Sequence, residues 1–202
     1  MNTKAVIYPG TTLYLASRSP RRVELLSQLG WACAVTPADI DETQLVGEPA
    51  AAYVQRLAQE KARAACLILG AAHSTQPVLA ADTTVALGDQ LLGKPVDDED
   101  ARRMLASLSG SVHQVHTAVA LVFNQKIELA WSCTNVEMMV LSEAQIEAYL
   151  ASGESRDKAG SYGIQGLAAA WIKRIEGSYT GVMGLPLYET AALLRAQGLS
   201  VL

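Results

Sequence analysis

Three features of this sequence predict an α/β fold with a mixed, twisted sheet flanked by helices. Strand-like apolar runs alternate with segments whose apolar residues recur at helical spacing, from residue 13 onward. Two long strand-like runs, 112–123 and 127–141, are neighbours in the chain, so part of the sheet is antiparallel. The first strand-like run, 13–17, instead ends at serines and passes directly into a helical run. With 202 residues the chain is long enough for one domain, 1–202, with two lobes, no linker and a sizeable core.

The elements follow in order. The helix over 20–29 has Val23, Leu25, Leu26 and Leu29 on one face, Ser19 as N-cap, Pro20 at the first position and Gly30 as its stop. A short strand occupies 33–36. A long helix runs over 49–69, from Pro49 to Gly70, and 71–76 is a surface loop. Val78–Leu87 is a strand, with Leu91-Leu92 extending its hairpin. The helix over 97–108 opens with four acids, a favourable arrangement at the positive end of its dipole. Asn124-Gln125 joins the two long strands in a tight hairpin. Ser142-Glu143 opens a helix to Leu150, closed by Gly153. The polar, glycine-rich stretch 157–166 is a loop, 171–175 a strand and 177–184 a loop. A last helix over 186–196 precedes a short strand at 199–202.

Composition limits the functions available. Half the residues are hydrophobic and 18% are charged, an ordinary globular balance. A net charge of −4 argues against a broad surface for nucleic acid or anionic membrane, so anion binding must come from a local cluster. Cys33, Cys66 and Cys133 are widely spaced and odd in number, which reads as reduced thiols packed in a core. His113 and His116 stand three apart in a strand and point to opposite faces, which leaves a zinc site poorly supported. No run approaches the ~20 apolar residues of a membrane span. Residues 5–8, before Pro9-Gly10, are too few for the core of a signal peptide. A cytoplasmic chain is expected.

The turn Ser17-Arg18-Ser19-Pro20-Arg21-Arg22 carries the strongest chemical signal. Arg21 and Arg22 sit in the first turn of a helix, where the dipole already places partial positive charge. Orphan backbone N–H groups, the hydroxyls of Ser17 and Ser19 and two guanidinium forks together describe an anion cradle. The plainer reading is a capped helix with a solvated basic turn. Asp82 lies in the otherwise apolar run Val78–Leu87, where an aspartate must be paired, metal-bound or at a cleft; a capping role at a strand end is the alternative. Tyr53, Leu57 and Lys61 step at four-residue intervals, which puts Lys61 beside a buried helix face, where a snorkelling stem is the ordinary explanation. Lys94 in Gly93-Lys94-Pro95, the acidic group Asp39, Asp41 and Glu42, and the glycine loop 160–166 are each weak alone. Together, two arginines and two lysines suit a polyphosphate, while carboxylates can hold Mg²⁺ and orient or deprotonate water.

These residues carry a resemblance. Ser17-x-Ser19-Pro20-Arg21-Arg22, Glu42, Gln59-Glu60-Lys61-Ala62, Ala81-Asp82-Thr83, Gly93-Lys94-Pro95 and His113-x-Val115-x-Thr117 are followed by Lys158-Ala159-Gly160-x-Tyr162-Gly163-Ile164-Gln165-Gly166 and Gly184-Leu185-Pro186-Leu187. In this order, from about residue 13 to 198, they resemble the Maf family of nucleoside triphosphate pyrophosphatases. The resemblance implies an inosine-triphosphatase-like fold with a cleft between two lobes. It implies hydrolysis of a nucleoside triphosphate to the monophosphate and pyrophosphate, dependent on a divalent cation (Mg²⁺ or Mn²⁺). It further implies a cytoplasmic protein, often a homodimer, linked to arrest of septum formation. Carried over by position, Asp82 is the proton acceptor, Glu42 and Asp82 are metal-linked, and Lys61, Lys94, Arg21 and Arg22 hold phosphates.

Thr83 and Gln165 are similar to the branch acting on dTTP and UTP. The branch acting on 7-methyl-GTP has a glutamate in the loop instead. A neutral amide can donate to and accept from the O4/N3–H edge of uracil, whereas a carboxylate suits a cationic base. Ala168 departs from the glycine that many relatives keep, which implies altered base affinity if the backbone meets the ligand there. Two other readings compete. A covalent aspartyl phosphatase is one; it usually has a second aspartate two residues on, where this chain has Thr84. A non-catalytic, nucleotide-binding regulator of septum formation is the other.

Overall fold

The computed structural model describes residues 12–70, 75–199 and 201. Among them, seven strands build one mixed sheet in the order β2-β1-β3-β5-β6-β7, with β4 hairpinned onto β3. The strands are β1 (Leu13–Leu15), β2 (Cys33–Val35), β3 (Val78–Leu87), β4 (Gln90–Leu92), β5 (Val112–Phe123), β6 (Lys126–Met138) and β7 (Ile172–Glu176). β1 runs parallel to β2 and β3, while the β3–β4, β3–β5, β5–β6 and β6–β7 pairs are antiparallel. Among the described residues six α-helices flank it: α1 (Pro20–Gln28), α2 (Ala50–Leu69), α3 (Asp98–Leu108), α4 (Glu143–Ser152), α5 (Tyr179–Met183) and α6 (Leu187–Ala196).

Strand alternation sorts β3 and β5 onto two faces. Val78, Ala80, Ala118 and Ala120 face α2, which answers with Val54, Ala58, Ala62 and Ala65. Small residues on both sides bring this helix close to the sheet. The opposite face carries two clusters. Leu79, Ala81, Val119 and Leu121 pack with α1 and α6 around Leu25, Leu26, Leu193 and Leu194. Val85, Val115, Val136 and Met138 pack with α3 and α4 around Leu105, Leu108, Tyr149 and Trp171.

One interruption positions the site. β1 pairs with β3 only at Val78 and Leu79, and β4 pairs with β3 only from Val85 to Leu87. Both lie on the side of β3 away from β5. Between them residues 80–84 have no strand partner on that side among the described pairings. Side chains from both faces of the sheet can therefore reach the space beside this stretch.

The expected mixed sheet and most elements are present, with differences at the ends. The 127–141 strand stops at Met138, and the helix over 142–150 runs on to Ser152, where Gly153 closes it in the left-handed conformation. The loop over 157–166 contains a 3-10 turn, Ala159–Ser161, and the loop over 177–184 folds into α5, which Ser178 caps by accepting from the Gly181 N–H. Asp97 is the cap of α3 rather than a member of its first turn. The strand expected at 199–202 is absent at Leu199 and Val201, the two of its residues that are described. In the loop expected over 71–76, residues 71–74 lie outside the described residues. Asn124 and Gln125 both adopt positive φ, 51° and 62°, so the hairpin closes tightly without glycine.

Candidate active site

A cleft of about 990 Å³ fills the interruption beside β3. Asp82 and Lys61 meet there. Asp82 sits in mid-strand on the α2 face, two residues beyond Ala80, and its carboxylate is only 8% exposed. Lys61, one step from Ala58 and Ala62 on the packed side of α2, reaches it with Nζ at 2.6 Å from Oδ1. The same ammonium lies 2.8 Å from Oε1 of Glu42, which the β2–α2 loop supplies. Tyr53 donates its hydroxyl to the Glu42 carbonyl at 2.9 Å and so ties that loop to α2. Burial pushes the Asp82 carboxyl up, against the opposing pull of Lys61 and Arg22. A carboxylate shifted toward neutrality is suited to accept a proton.

The turn after β1 supplies the second wall. Ser19 occupies the cap position of α1 with Pro20 behind it, but its hydroxyl makes no capping bond. Instead the Ser17 Oγ accepts from the Ser19 N–H at 3.2 Å and from Arg22 Nη1 at 3.1 Å. Arg22 also donates from Nε to the Gly184 carbonyl at 2.7 Å and from Nη2 to Thr83 Oγ1 at 3.1 Å. Desolvation lowers the pKa of this guanidinium. Arg21, Lys94, Arg156 and Lys158 complete a cationic rim, and Thr83 and Gln165 line the same cleft. Among the described residues, Arg21, Lys94 and Lys158 form no ion pair with a carboxylate. A space ringed by uncompensated cations and floored by two carboxylates can hold a polyanion beside a proton acceptor.

The glycine loop forms the third wall. Gly163 donates its N–H to the Tyr149 hydroxyl at 3.2 Å, and the Tyr162 hydroxyl lies 2.7 Å from Nε2 of the buried His113. Lys158 Nζ donates to the Glu154 carbonyl at 2.6 Å, and its stem fills the space a side chain on Gly163 would occupy.

All ten residues proposed from sequence line this one cleft. The acidic group behind them separates: Asp39 pairs with Arg18 at 2.7 Å, Asp41 accepts from the Thr43 N–H at 2.9 Å, and Glu42 alone meets Lys61. Among the described residues no group of three or more His, Cys, Asp and Glu side chains could hold a metal. Ala168 is fully buried in the α3/α4 cluster and is not among the residues lining the cleft. The cysteines are free as expected but half-buried rather than in the core, and Cys133 Sγ lies 3.8 Å from Nε2 of His116. His113 and His116 do take opposite faces, His116 stacking on Trp131. Sequence reasoning passed over Tyr53, Lys158 and Thr117. Lys158 and Thr117 stood inside quoted motifs, but only tertiary contact brings them to the site.

Comparison with known proteins follows the same pattern. Residues 12–197 match the model for Maf-like protein. The chain is 55% identical to the dTTP/UTP pyrophosphatase of Methylobacillus flagellatus, which covers 95% of both chains. It is 52% identical to that of Chromobacterium violaceum, over 93% of this chain and 96% of the other. Among solved structures, the Staphylococcus aureus Ham1 protein aligns over 63% of this chain and 71% of its own, with 13% identity and a TM-score of 0.42. The family match spans nearly all of the described residues, and this chain belongs to the Maf family.

Proposed function

We propose that this protein hydrolyses dTTP and UTP to the monophosphate and pyrophosphate. The observation that carries the reading is Lys61 held between Glu42 and the buried Asp82, in a cleft rimmed by Arg21, Lys94 and Lys158. Relatives at about half identity over nearly the whole chain carry the name dTTP/UTP pyrophosphatase. Asp82 takes the proton from the attacking water, and its raised pKa brings it nearer to that task at neutral pH. Lys61, Lys94, Arg21 and Arg22 neutralise the triphosphate and hold it in line, which supplies most of the rate in phosphoryl transfer. Glu42 and Asp82 offer hard carboxylate oxygens on either side of one ammonium. Mg²⁺ or Mn²⁺ uses one or two such groups together with substrate phosphates. When bound, such an ion supplies further neutralisation of the triphosphate.

Gln165 addresses the base, its amide donating to O4 and accepting from N3–H. Housecleaning of nucleotide pools, a cytoplasmic location, a homodimeric state and a link to cell division belong to the same proposal, as does a single domain. No described helix is long and apolar enough to cross a membrane. The covalent aspartyl phosphatase is not favoured. Asp82 lies mid-strand in an ion pair, and Thr84 is a buried hydroxyl without a partner.

The deciding experiment identifies products by mass spectrometry after incubation with UTP or dTTP and Mg²⁺. Monophosphate with pyrophosphate is the expected result. Diphosphate with orthophosphate would place attack at the terminal phosphorus and favour the phosphatase. Binding without turnover would favour the regulator. Faster turnover of 7-methyl-GTP than of either pyrimidine nucleotide would overturn the base assignment.

A further inference from the structure

Thr117 is fully buried and contributes nothing to the lining of the cleft, yet its hydroxyl stands at the centre of a hydrogen-bonded chain that ends there. β5 pairs it directly with Thr83 on β3. Its Oγ1 lies 2.8 Å from the Gly181 carbonyl and 3.0 Å from Thr83 Oγ1. Thr83 Oγ1 in turn receives Nη2 of Arg22.

A hydroxyl has one proton, and the order of donation follows from that. The Gly181 carbonyl can only accept, and the guanidinium can only donate. Arg22 donates to Thr83, and Thr117 donates its one proton to Thr83 or to Gly181. The Gly181 carbonyl already accepts from the Gly184 N–H at 3.0 Å, so its satisfaction does not depend on Thr117. Thr117 is therefore free to donate to Thr83, whose oxygen then accepts from Thr117 and Arg22 together and is held in place between them.

We propose that Thr117 is a positioning residue that fixes the Arg22 guanidinium through Thr83. Thr83 is then the anchor of Arg22, its oxygen accepting from both neighbours. Arg22 is clamped on three sides, by Ser17, Thr83 and Gly184, with one proton left on each Nη for an anion in the cleft. The clamp and the Asp82–Lys61 pair lie on opposite faces of the sheet. Loosening the clamp therefore weakens grip on the substrate while the Asp82–Lys61 contact itself stays in place, a loss read in KM and Kd.

The proposal rests on Arg22 contacting the nucleotide, and its test is kept separable from that of the activity. Thr117→Val, Thr117→Ser, Thr83→Val and the double variant are compared with the parent for steady-state turnover of UTP. UTP affinity is measured in parallel by calorimetry in EDTA, and folding is checked by thermal melting. Thr117→Val is expected to raise KM and Kd about five- to tenfold, the scale of one positioned hydrogen bond. Thr117→Ser restores both constants, and Thr83→Val/Thr117→Val is no worse than Thr83→Val alone. An unchanged Kd in Thr117→Val, an equal loss in Thr117→Ser, or multiplying losses in the double variant would overturn it. If the parent does not turn over UTP, the activity assignment falls and the calorimetric comparison still decides the role of Thr117.

Discussion

Asp82 and Thr83 are chain neighbours that alternation throws onto opposite faces of the sheet, one toward Lys61 and one toward Arg22. Their substitutions should therefore separate. Asp82→Asn keeps the volume and removes the proton acceptor. UTP turnover should fall by about 10²–10⁴ with UTP affinity within a few-fold of the parent, read by kinetics and calorimetry. Lys61→Met leaves the buried Asp82 carboxylate beside Glu42 without its cation. A loss of about 3 kcal/mol in urea unfolding is expected, largely recovered in Lys61→Met/Asp82→Asn, where no buried charge remains.

His113 bears on stability rather than chemistry. Burial lowers its pKa to about 4. The unfolded chain takes up this proton below pH 6.5 and the folded chain does not, so acidification from 6.5 toward 4 favours unfolding. The contribution is on the order of 3 kcal/mol at the acid end of that window. His116 is shifted in the same direction. Unfolding midpoints measured across this window should be flatter with pH in His113→Gln than in the parent. Equal slopes would mean the imidazole is not held neutral.

At the scale of elements, the loop 157–166 is where backbone conformation matters most. Gly160 has φ of +68°, and a Cβ there would lie 2.9 Å from Cγ2 of Val85. Its N–H donates to the Gly93 carbonyl at 3.0 Å, which joins the loop to the segment carrying Lys94. Gly160→Ala should cost about 2 kcal/mol in urea unfolding, from strain at positive φ together with the forced shift of Val85. Because the loop carries Gln165, selectivity between UTP and 7-methyl-GTP should relax in the same variant. α2 shows the opposite economy. Its Ala58, Ala62 and Ala65 are fully buried against Ala80, Ala118 and Ala120, and the close approach lets a lysine reach Asp82.

For the whole molecule, the cleft lies where β1 and β4 leave β3 uncovered, between the α1/α6 cluster and the α3/α4 cluster. Ser17 and Arg22 line it on one side and Lys158 and Gly163 on the other, so a nucleotide bound as proposed would bind the folded state alone. UTP at about 100 times its Kd should stabilise the fold by about 2.7 kcal/mol. That corresponds to a rise in Tm of roughly 5–11 °C for a chain of this size, read by a thermal melt with and without UTP. No shift would count against the cleft as the nucleotide site.

Sequence alone determined the α/β class and the order of nearly all the elements, and together with the family resemblance it supplied the list of ten cleft residues. Local physics governs the elements and the few residues that stand out. Alternation and helical periodicity are set by near neighbours, and an aspartate in an apolar strand or arginines in a first helical turn stand out against their own surroundings. The misses were local as well: α5 is only five residues long and its cap bond forms only in place, and Leu199 and Val201 are not in a strand. Tertiary structure decided which charges meet. Glu42 rather than Asp39 or Asp41 faces Lys61, Arg22 is clamped by Gly184 from 162 positions away, and Thr117 became part of the site. None of these pairings has a sequence period to betray it. Each depends on the gap between β1 and β4 and on which face of β3 and β5 a residue occupies, quantities that exist only once the sheet is assembled.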